Sequence, residues 1–513
     1  MNLSSILENS AVRFKDKTAI VCGEQRVSFA SLEQDARKVA RALKKMGVKK
    51  GDRVAMMQSS NPEFVTVFFG IMKVGGIAVP LDSRYVADEL KILFKDCKPK
   101  VFVVEEPALK NLLPALDKFK SVKHIITVNA APDKRFTGYK EIIENYAAEN
   151  IQTDVEPGDI AIISYTGGAT MCPLGVALSH QAMHTEVVNS VFGFLQTEQD
   201  IMMLFALPMY HQFGLTAATL GSIYAGSKIV VVPGTGRSVD SFMEAVQREK
   251  GTLFMGVPYI YSLMINVAKR AGIKYDLSSL RLICSGGAPL EPVVIERFRD
   301  IYGMEIHDIY GQTESICHVC RMPLAGPVKM GSSGTALSCW EMKIFDNDDN
   351  AVPAGTEGEI VLRGPVMNGF WNHPKETAEA LRNGWLHTGD LGRMDEEGFL
   401  FITARKRRML ILKGQNIFPA DIEAVLATHP AVAEAKAAGH SDLVRGETVK
   451  AYVVLKPGAA VTEHELRQYC QGRMADYKIP KEIFLVDVIP EELPLWRRPQ
   501  NASAADLILE GKE

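Results

Sequence analysis

Short apolar runs alternate with amphipathic stretches along most of the chain. Lys100 to Val104 reads as a buried strand, Lys123 to Val128 as another and Ser227 to Val232 as a third. Arg53 to Met57 is a fourth, and it leads into a helix-like stretch from Pro62 to Val74. Strands covered on both faces show near-continuous apolar runs, and strands interleaved with helices pair in parallel. The first helix shows apolar residues at Leu32, Ala36, Val39, Ala40 and Leu43, one face of a 3.6-residue period. Ser31 and Gln34 have the spacing of a capping box at its start. The pattern predicts an α/β fold in which parallel-rich sheets are covered by helices.

The texture changes after about residue 330. Gly334 to Leu362 gives short strands and polar turns, among them Asp346-Asn347-Asp348-Asp349-Asn350. This predicts a small β-barrel-like subregion over about 330–400. A basic run follows, Arg405-Lys406-Arg407-Arg408. Beyond it the pattern predicts a strand at Met409 to Leu412, a helix from Pro419 to Leu426, a strand from Val449 to Val454 and a helix from Glu463 to Arg473. The expected organisation is a large N-terminal domain over 1–404, a connector at 405–408 and a small α+β domain over 409–513.

A chain of 513 residues is too long for one ordinary core, in keeping with that division. Apolar residues at 47% and charged residues at 23% are ordinary for a soluble globular protein. Lys and Arg number 58 against 61 Asp and Glu, a net charge of -3. That balance gives no electrostatic hold on nucleic acid or an anionic membrane. No apolar stretch is long enough to span a bilayer, and the first residues lack the pattern of a secretory signal, so a cytoplasmic enzyme is expected. The eight cysteines are scattered, and a chain this large needs no disulfide framework. Cys317 and Cys320 form a lone C-x-x-C with His318 between them, and no second pair stands nearby to complete a zinc site. Buried or incidental thiols are the expectation there.

Four segments are candidates for chemistry. In Ile309-Tyr310-Gly311-Gln312-Thr313-Glu314-Ser315 an apolar strand beginning near His307 and Asp308 runs into a glycine turn and then into hydroxyl and carboxylate groups. At the carboxyl end of a strand these groups face a ligand crevice. Thr313 can donate to a phosphate oxygen, Glu314 can hold Mg²⁺, and Tyr310 offers a ring to a base. Gly384 to Asp390 ends in a carboxylate suited to two ribose hydroxyls. Leu207 to Leu215 sets His211 and Phe213 beside small residues, as a pocket wall does. Ser285-Gly286-Gly287-Ala288 follows a strand, and its glycines let a flat ring approach the backbone. Each segment alone also reads as an ordinary turn or a structural histidine.

Together, and in this order, the segments resemble the adenylate-forming superfamily of acyl-CoA synthetases, luciferases and peptide-synthetase adenylation domains. Further matches are Lys73 to Asp82, Gly358-Glu359-Ile360 through Gly369-Phe370-Trp371, Lys413-Gly414-Gln415-Asn416-Ile417-Phe418-Pro419 through Ile422-Glu423, and Tyr477-Lys478-Ile479-Pro480. The resemblance covers essentially the whole chain. It implies a two-step reaction: ATP and a carboxylic acid give an acyl-adenylate and pyrophosphate, then coenzyme A or another thiol takes the acyl group and AMP leaves. It implies a nucleotide site at Thr166, Gly168, Thr170, Gly287, Ala288, Asp308, Tyr310, Gly311, Gln312, Thr313, Asp390 and Arg405. It implies Mg²⁺ at Glu314, catalytic roles for Thr313, Glu314, His211 and Lys413, and a hinge at Arg407. The implied acyl pocket is His211, Phe213, Tyr259, Tyr261, Gly287 and Tyr310, a lining that favours an aryl or aliphatic acid. A homodimer is compatible with it.

Two places depart from the family pattern. The phosphate loop, Tyr165-Thr166-Gly167-Gly168-Ala169-Thr170-Met171-Cys172-Pro173-Leu174-Gly175, has Gly167 and Ala169 where hydroxyls are usual, and Leu174 where a lysine is usual. After Leu493-Pro494 the usual catalytic lysine is replaced by about Gln500, with Arg497 and Arg498 nearby. Losing one charge-stabilising group of this kind costs about 2.7–4 kcal/mol of barrier, or a factor of about 100 to 1,000. The sequence is therefore compatible with a full acid–CoA ligase, with a nucleotide- and acyl-binding relative of impaired catalysis, and with an enzyme that keeps only the acyl-transfer half-reaction.

Overall fold

The buried apolar runs become parallel strands of two large sheets. This architecture is seen in a computed structural model that describes residues 2–151, 153–166, 174–233, 238–326, 328–406, 409–412, 415–442 and 446–490. The expectations placed on Gly167 through Pro173, on Arg407, Arg408, Lys413 and Gly414, and on the tail from Leu493 to Asn501 lie outside the described residues.

In the first sheet the strand order is Thr335–Ala336, Cys320–Arg321, Ile306–Tyr310, Leu282–Ser285, Leu253–Gly256, Ile201–Phe205, Lys228–Val232, Thr18–Cys22 and Gln25–Ser28. The strands from Ile306–Tyr310 to Thr18–Cys22 run parallel, and antiparallel strands close both edges. In the register of the parallel pair, Cys284 lies opposite His307 and Ser285 opposite Asp308. Two polar strand ends therefore finish side by side, where a ligand crevice forms in open parallel sheets.

The second sheet has a parallel centre of Ile160–Tyr165, Ile77–Pro80, Arg53–Met57, Val101–Glu105 and His124–Val128. Helices Ser4–Arg13, Phe29–Lys45 and Pro62–Lys73 pack together beside it. Lys73 Nζ, buried among them, lies 2.6 Å from Glu8 Oε1 and 2.8 Å from Glu33 Oε1. The helix expected to start at Ser31 begins at Phe29, with Ser28 as its cap: the Ser28 hydroxyl accepts from Ser31 N at 3.1 Å. The start moves upstream because Phe29 is wholly buried and belongs to the core.

A third, antiparallel sheet contains Glu341–Phe345, Gly358–Arg363 and the long strand Trp385–Met394, to which Leu381–Arg382 and Leu400–Arg405 also pair. It supplies the expected β-rich subregion. A fourth sheet of Gln415–Ile417, Leu410–Leu412, Gly446–Leu455, Val432–Asp442 and Glu482–Leu485 packs on helices Pro419–Ala427 and Glu463–Cys470 around its own core of Leu410, Ile422, Leu426, Val453 and Leu466. The last helix stops three residues short of the expected Arg473, because Gln471 turns to an extended conformation and Gly472 takes φ +73°. Among the described residues no helix is long and apolar enough to cross a membrane.

Candidate active site

The site forms where strand Ile306–Tyr310 ends. A Cβ at Gly311 would stand 1.8 Å from the Cys317 carbonyl oxygen, so only glycine lets the chain return this closely. The chain makes one 3₁₀ turn at Thr313–Ser315, and Val319 N then donates to Tyr310 O at 2.8 Å. Gln312 N donates to Ser315 Oγ at 3.0 Å and fixes the turn. Thr313 and Glu314 are both buried in it.

The Tyr310 hydroxyl donates to Asp390 Oδ2 at 2.7 Å. Burial and then the Asp390 charge push the phenol pKa well above its ordinary value, so it remains a donor. Asp390 lies on Trp385–Met394 opposite Arg405, whose Nε is 4.0 Å from Asp390 Oδ1. Arg405 Nη1 donates to Glu447 Oε2 at 3.1 Å and to Met409 O at 3.3 Å. Burial raises the Glu447 pKa, although Arg405 and the Ile411 N–H act against that rise. Asp308 Oδ2 accepts from Ser333 Oγ at 2.8 Å.

These groups open on a cavity of about 120 Å³. Of the residues expected in the nucleotide site, Gly287, Ala288, Asp308, Tyr310, Gly311, Gln312, Thr313, Asp390 and Arg405 line it. His211 and Phe213, expected in the acyl pocket, line the same cavity. His211 is held by its N–H to Pro208 O at 3.1 Å, and burial lowers its pKa, so the imidazole is neutral at pH 7. The segment then winds into a π-helix, Phe213–Leu220, a form that recurs at functional sites. A Cβ at Gly214 would come within 2.2 Å of Pro208 O, so the turn presenting His211 also depends on a glycine.

Four expected residues lie elsewhere. Tyr261 is fully buried in the core with its hydroxyl on Cys284 O at 2.5 Å, so it does not line the acyl pocket. Tyr259 lines a second cleft of about 770 Å³ together with Arg84, Tyr210, Gln415 and Tyr477. Thr166 lies outside the cavity lining, its N–H on Leu174 O at 3.3 Å. Glu314 is buried beside Thr313 but outside the cavity lining, and its carbonyl accepts from Met367 N at 2.9 Å.

Gln212, Cys317 and His318 also line the cavity, although the sequence pattern assigned Gln212 no role and suggested only incidental thiols around Cys317 and His318. Their signal was present: Gln212 sits between His211 and Phe213, and Cys317-His318 comes directly after the Thr313–Glu314 turn. The C-x-x-C pair is divided in the fold. Cys317 and His318 meet Glu186, with His318 Nδ1 3.4 Å from Cys317 Sγ and 3.3 Å from Glu186 Oε1. Cys320 Sγ instead donates to Ser333 O at 3.4 Å.

Parallel strand ends, a carboxylate–phenol pair and a short hydroxyl turn around one cavity define a nucleotide-binding α/β enzyme. The chain belongs to the AMP-binding enzyme family: that family's model matches residues 7–371, and the model of its C-terminal domain matches residues 421–492. It is 34% identical over 514 residues to a long-chain-fatty-acid–CoA ligase of Bacillus subtilis, covering 93% of this chain and 90% of that protein. It is also 34% identical over 500 residues to an indoleacetate–CoA ligase of Aromatoleum aromaticum, covering 96% and 95%. Among solved structures it is similar to an anthranilate CoA ligase in complex with anthranoyl-AMP, at a TM-score of 0.76 and 27% identity, covering 96% of this chain and 94% of that one.

Mg²⁺ is commonly held by one or two carboxylates and completed by substrate phosphate oxygens and water. Glu314 is the carboxylate next to the Thr313 hydroxyl, but it is buried outside the cavity lining, so the geometry does not by itself fit a Mg²⁺ shared with a ligand in that cavity.

Proposed function

We propose that this protein activates a carboxylic acid, aryl or aliphatic, with ATP as the acyl-adenylate and passes the acyl group to coenzyme A, releasing AMP and pyrophosphate. The observation that carries this reading is the shared cavity: the Tyr310–Asp390–Arg405 group and the His211–Phe213 wall face one space. A carboxylate is a poor electrophile, and adenylation gives it a leaving group. In this reading Asp390 accepts from the ribose hydroxyls, and Gly287 and Ala288 present backbone to the adenine. Thr313 donates to the α-phosphate. His211, neutral and buried, stands where the acyl carbonyl meets the incoming thiol, and it can hydrogen-bond there without bringing a charge.

The second cleft supports an entry for the thiol. It runs between Ser60, Arg84 and Tyr210 on one side and Leu412, Gln415 and Tyr477 on the other. Arg84 Nη2 donates to Gln415 Oε1 at 2.9 Å, and its guanidinium lies 4.2 Å from the Tyr477 ring centre. Lys413, two residues before Gln415, is proposed to act near the thioester step, and Arg407 is proposed as the hinge between the steps.

Purified protein with Mg-ATP, coenzyme A and a broad panel of aryl acids and of aliphatic acids from short to long tests the proposal by chromatography of AMP. AMP that forms only with acid, in equal amount to acyl-CoA, is the expected result. No AMP with any acid, under conditions where AMP itself binds, rejects it. A second reading, acyl transfer from a supplied acyl-adenylate alone, is favoured by Leu174 in place of a lysine and by the tail that has none between Lys481 and Lys512. Acyl-CoA formed from synthetic acyl-adenylate, with none from ATP and acid, would establish it.

A further inference from the structure

Two buried side chains in the cavity wall have hydrogen-bonding capacity that the protein does not use. Gln212 is 2% exposed; its Oε1 accepts from Thr216 Oγ1 at 3.1 Å, while its Nε2 has no partner. His318 is likewise 2% exposed, stacked on Phe194 at 4.8 Å between ring centres, and its Nε2 has no partner. Buried polar groups left unpaired destabilise a fold, so natural proteins keep few of them without a function.

The surroundings of His318 set what its free nitrogen does. Glu186 is wholly buried, and its Oε2 accepts from Trp340 Nε1 at 3.1 Å and from Asn189 Nδ2 at 3.2 Å. Glu186 Oε1 faces His318 Nδ1. Burial pushes the Glu186 pKa up to about 8 and that of His318 down to about 3, so both groups are neutral at pH 7. Nδ1 stands against Glu186 and Cys317, which leaves Nε2 as the unpartnered ring nitrogen. Gln212 Nε2 is a donor, and His318 Nε2 is a second polar atom in the same wall.

The same wall limits length. Behind the imidazole stand Glu186, Phe194 and Trp340, all buried, so the cavity ends there.

We propose that the acid activated here is short and carries an oxygen, as a hydroxyl or carbonyl, at the end remote from its carboxylate, where Gln212 Nε2 donates to it beside His318 Nε2. This rests on the acyl-adenylate reading of the cavity. A site built to hydrogen-bond a polar group rejects the analogue that lacks it, because its own donors are left unpaired.

Calorimetric titration with non-hydrolysable acyl-sulfamoyl adenosines tests this without depending on catalysis. The matched probes are benzoyl against 3- and 4-hydroxybenzoyl, and hexanoyl against 5-oxohexanoyl, with dodecanoyl as the long member. The oxygen-bearing member of at least one pair should bind tenfold or more tighter than its apolar partner, and dodecanoyl should bind weakest. Gln212→Leu should reduce the preference to less than threefold while leaving the apolar probe within threefold. Equal binding within both pairs, or tightest binding of dodecanoyl, overturns the inference and leaves the acyl-adenylate reading standing. Failure of every probe to bind removes both.

Discussion

Lys478 Nζ lies 2.5 Å from Glu89 Oε1 and 3.6 Å from Asp421 Oδ2, so one wholly buried ammonium joins the N-terminal part of the chain to its C-terminal domain. Removing one partner of a buried ion pair costs about 3–5 kcal/mol, because the charge left behind has no compensation. Lys478→Ala should therefore loosen the docking of the C-terminal domain. Small-angle scattering should show a broader distribution of sizes, and hydrogen exchange should rise around Tyr85 to Leu90. An unchanged scattering profile with unchanged exchange contradicts this.

Asp390 is the next test. A carboxylate that accepts ribose hydroxyls contributes about 1.5–3 kcal/mol as a charged hydrogen-bond partner. Asp390→Asn should weaken AMP binding by roughly ten- to a hundredfold by calorimetry. Tyr310→Phe, which removes only the hydroxyl that orients Asp390, should weaken it by less, about three- to tenfold. The reverse order would count against the assignment.

The pair of Glu186 and His318 has a signature in stability against pH. The folded His318 pKa, about 3, lies below its unfolded value, so its contribution rises with pH and is complete above about 6.5. The folded Glu186 pKa, about 8, lies above its unfolded value, so the folded state holds a proton that the unfolded state has lost from about pH 4.5 upward. Between about pH 6.5 and 8 the Glu186 slope stands alone and lowers stability by roughly 2 kcal/mol. Glu186→Gln, neutral at every pH, should flatten denaturation midpoints over that window. A slope unchanged by the substitution would place its cause elsewhere.

Leu174 stands where the family resemblance implies a lysine, and its carbonyl holds the Thr166 N–H. Leu174→Lys should raise acid-dependent pyrophosphate release from ATP, by about ten- to a hundredfold if the cation reaches the departing phosphates. Acyl transfer from supplied acyl-adenylate should stay within about twofold. Equal change in both steps would argue against a charge acting on the phosphates.

The sequence pattern already carried much of this structure. The runs at Val101–Glu105 and Lys228–Val232 are strands within a residue of their expected ends, because buried parallel strands have a strong and simple hydrophobic signal. The cavity residues from Asp308 to Thr313 were legible because a strand end and a glycine turn sit within a few positions of one another. Tyr261 was misplaced: an aromatic in an apolar helix gives no sign of which face looks into a core and which into a cavity, and here its hydroxyl is used on Cys284 O. The cluster of Glu186 with His318 was invisible, since its partners are 132 residues apart and only the third dimension brings them together. The helix start at Phe29 was missed because tertiary burial of one ring outweighed the capping pattern two residues later.

The close return of the chain at Gly311 couples two jobs. The residues from Gly311 to Thr313 and Cys317 with His318 line the same cavity from the two ends of this loop, with the Cys317 carbonyl packed where a Gly311 side chain would be. A loop clamped at both ends in this way leaves no slack for insertions or deletions. Under the proposed function, descendants of this gene could change their acid by exchanging side chains at 317 and 318, but any change in the length of the segment between would displace the groups proposed to meet ATP. New substrates should therefore arise here through point substitutions, at a constant loop length.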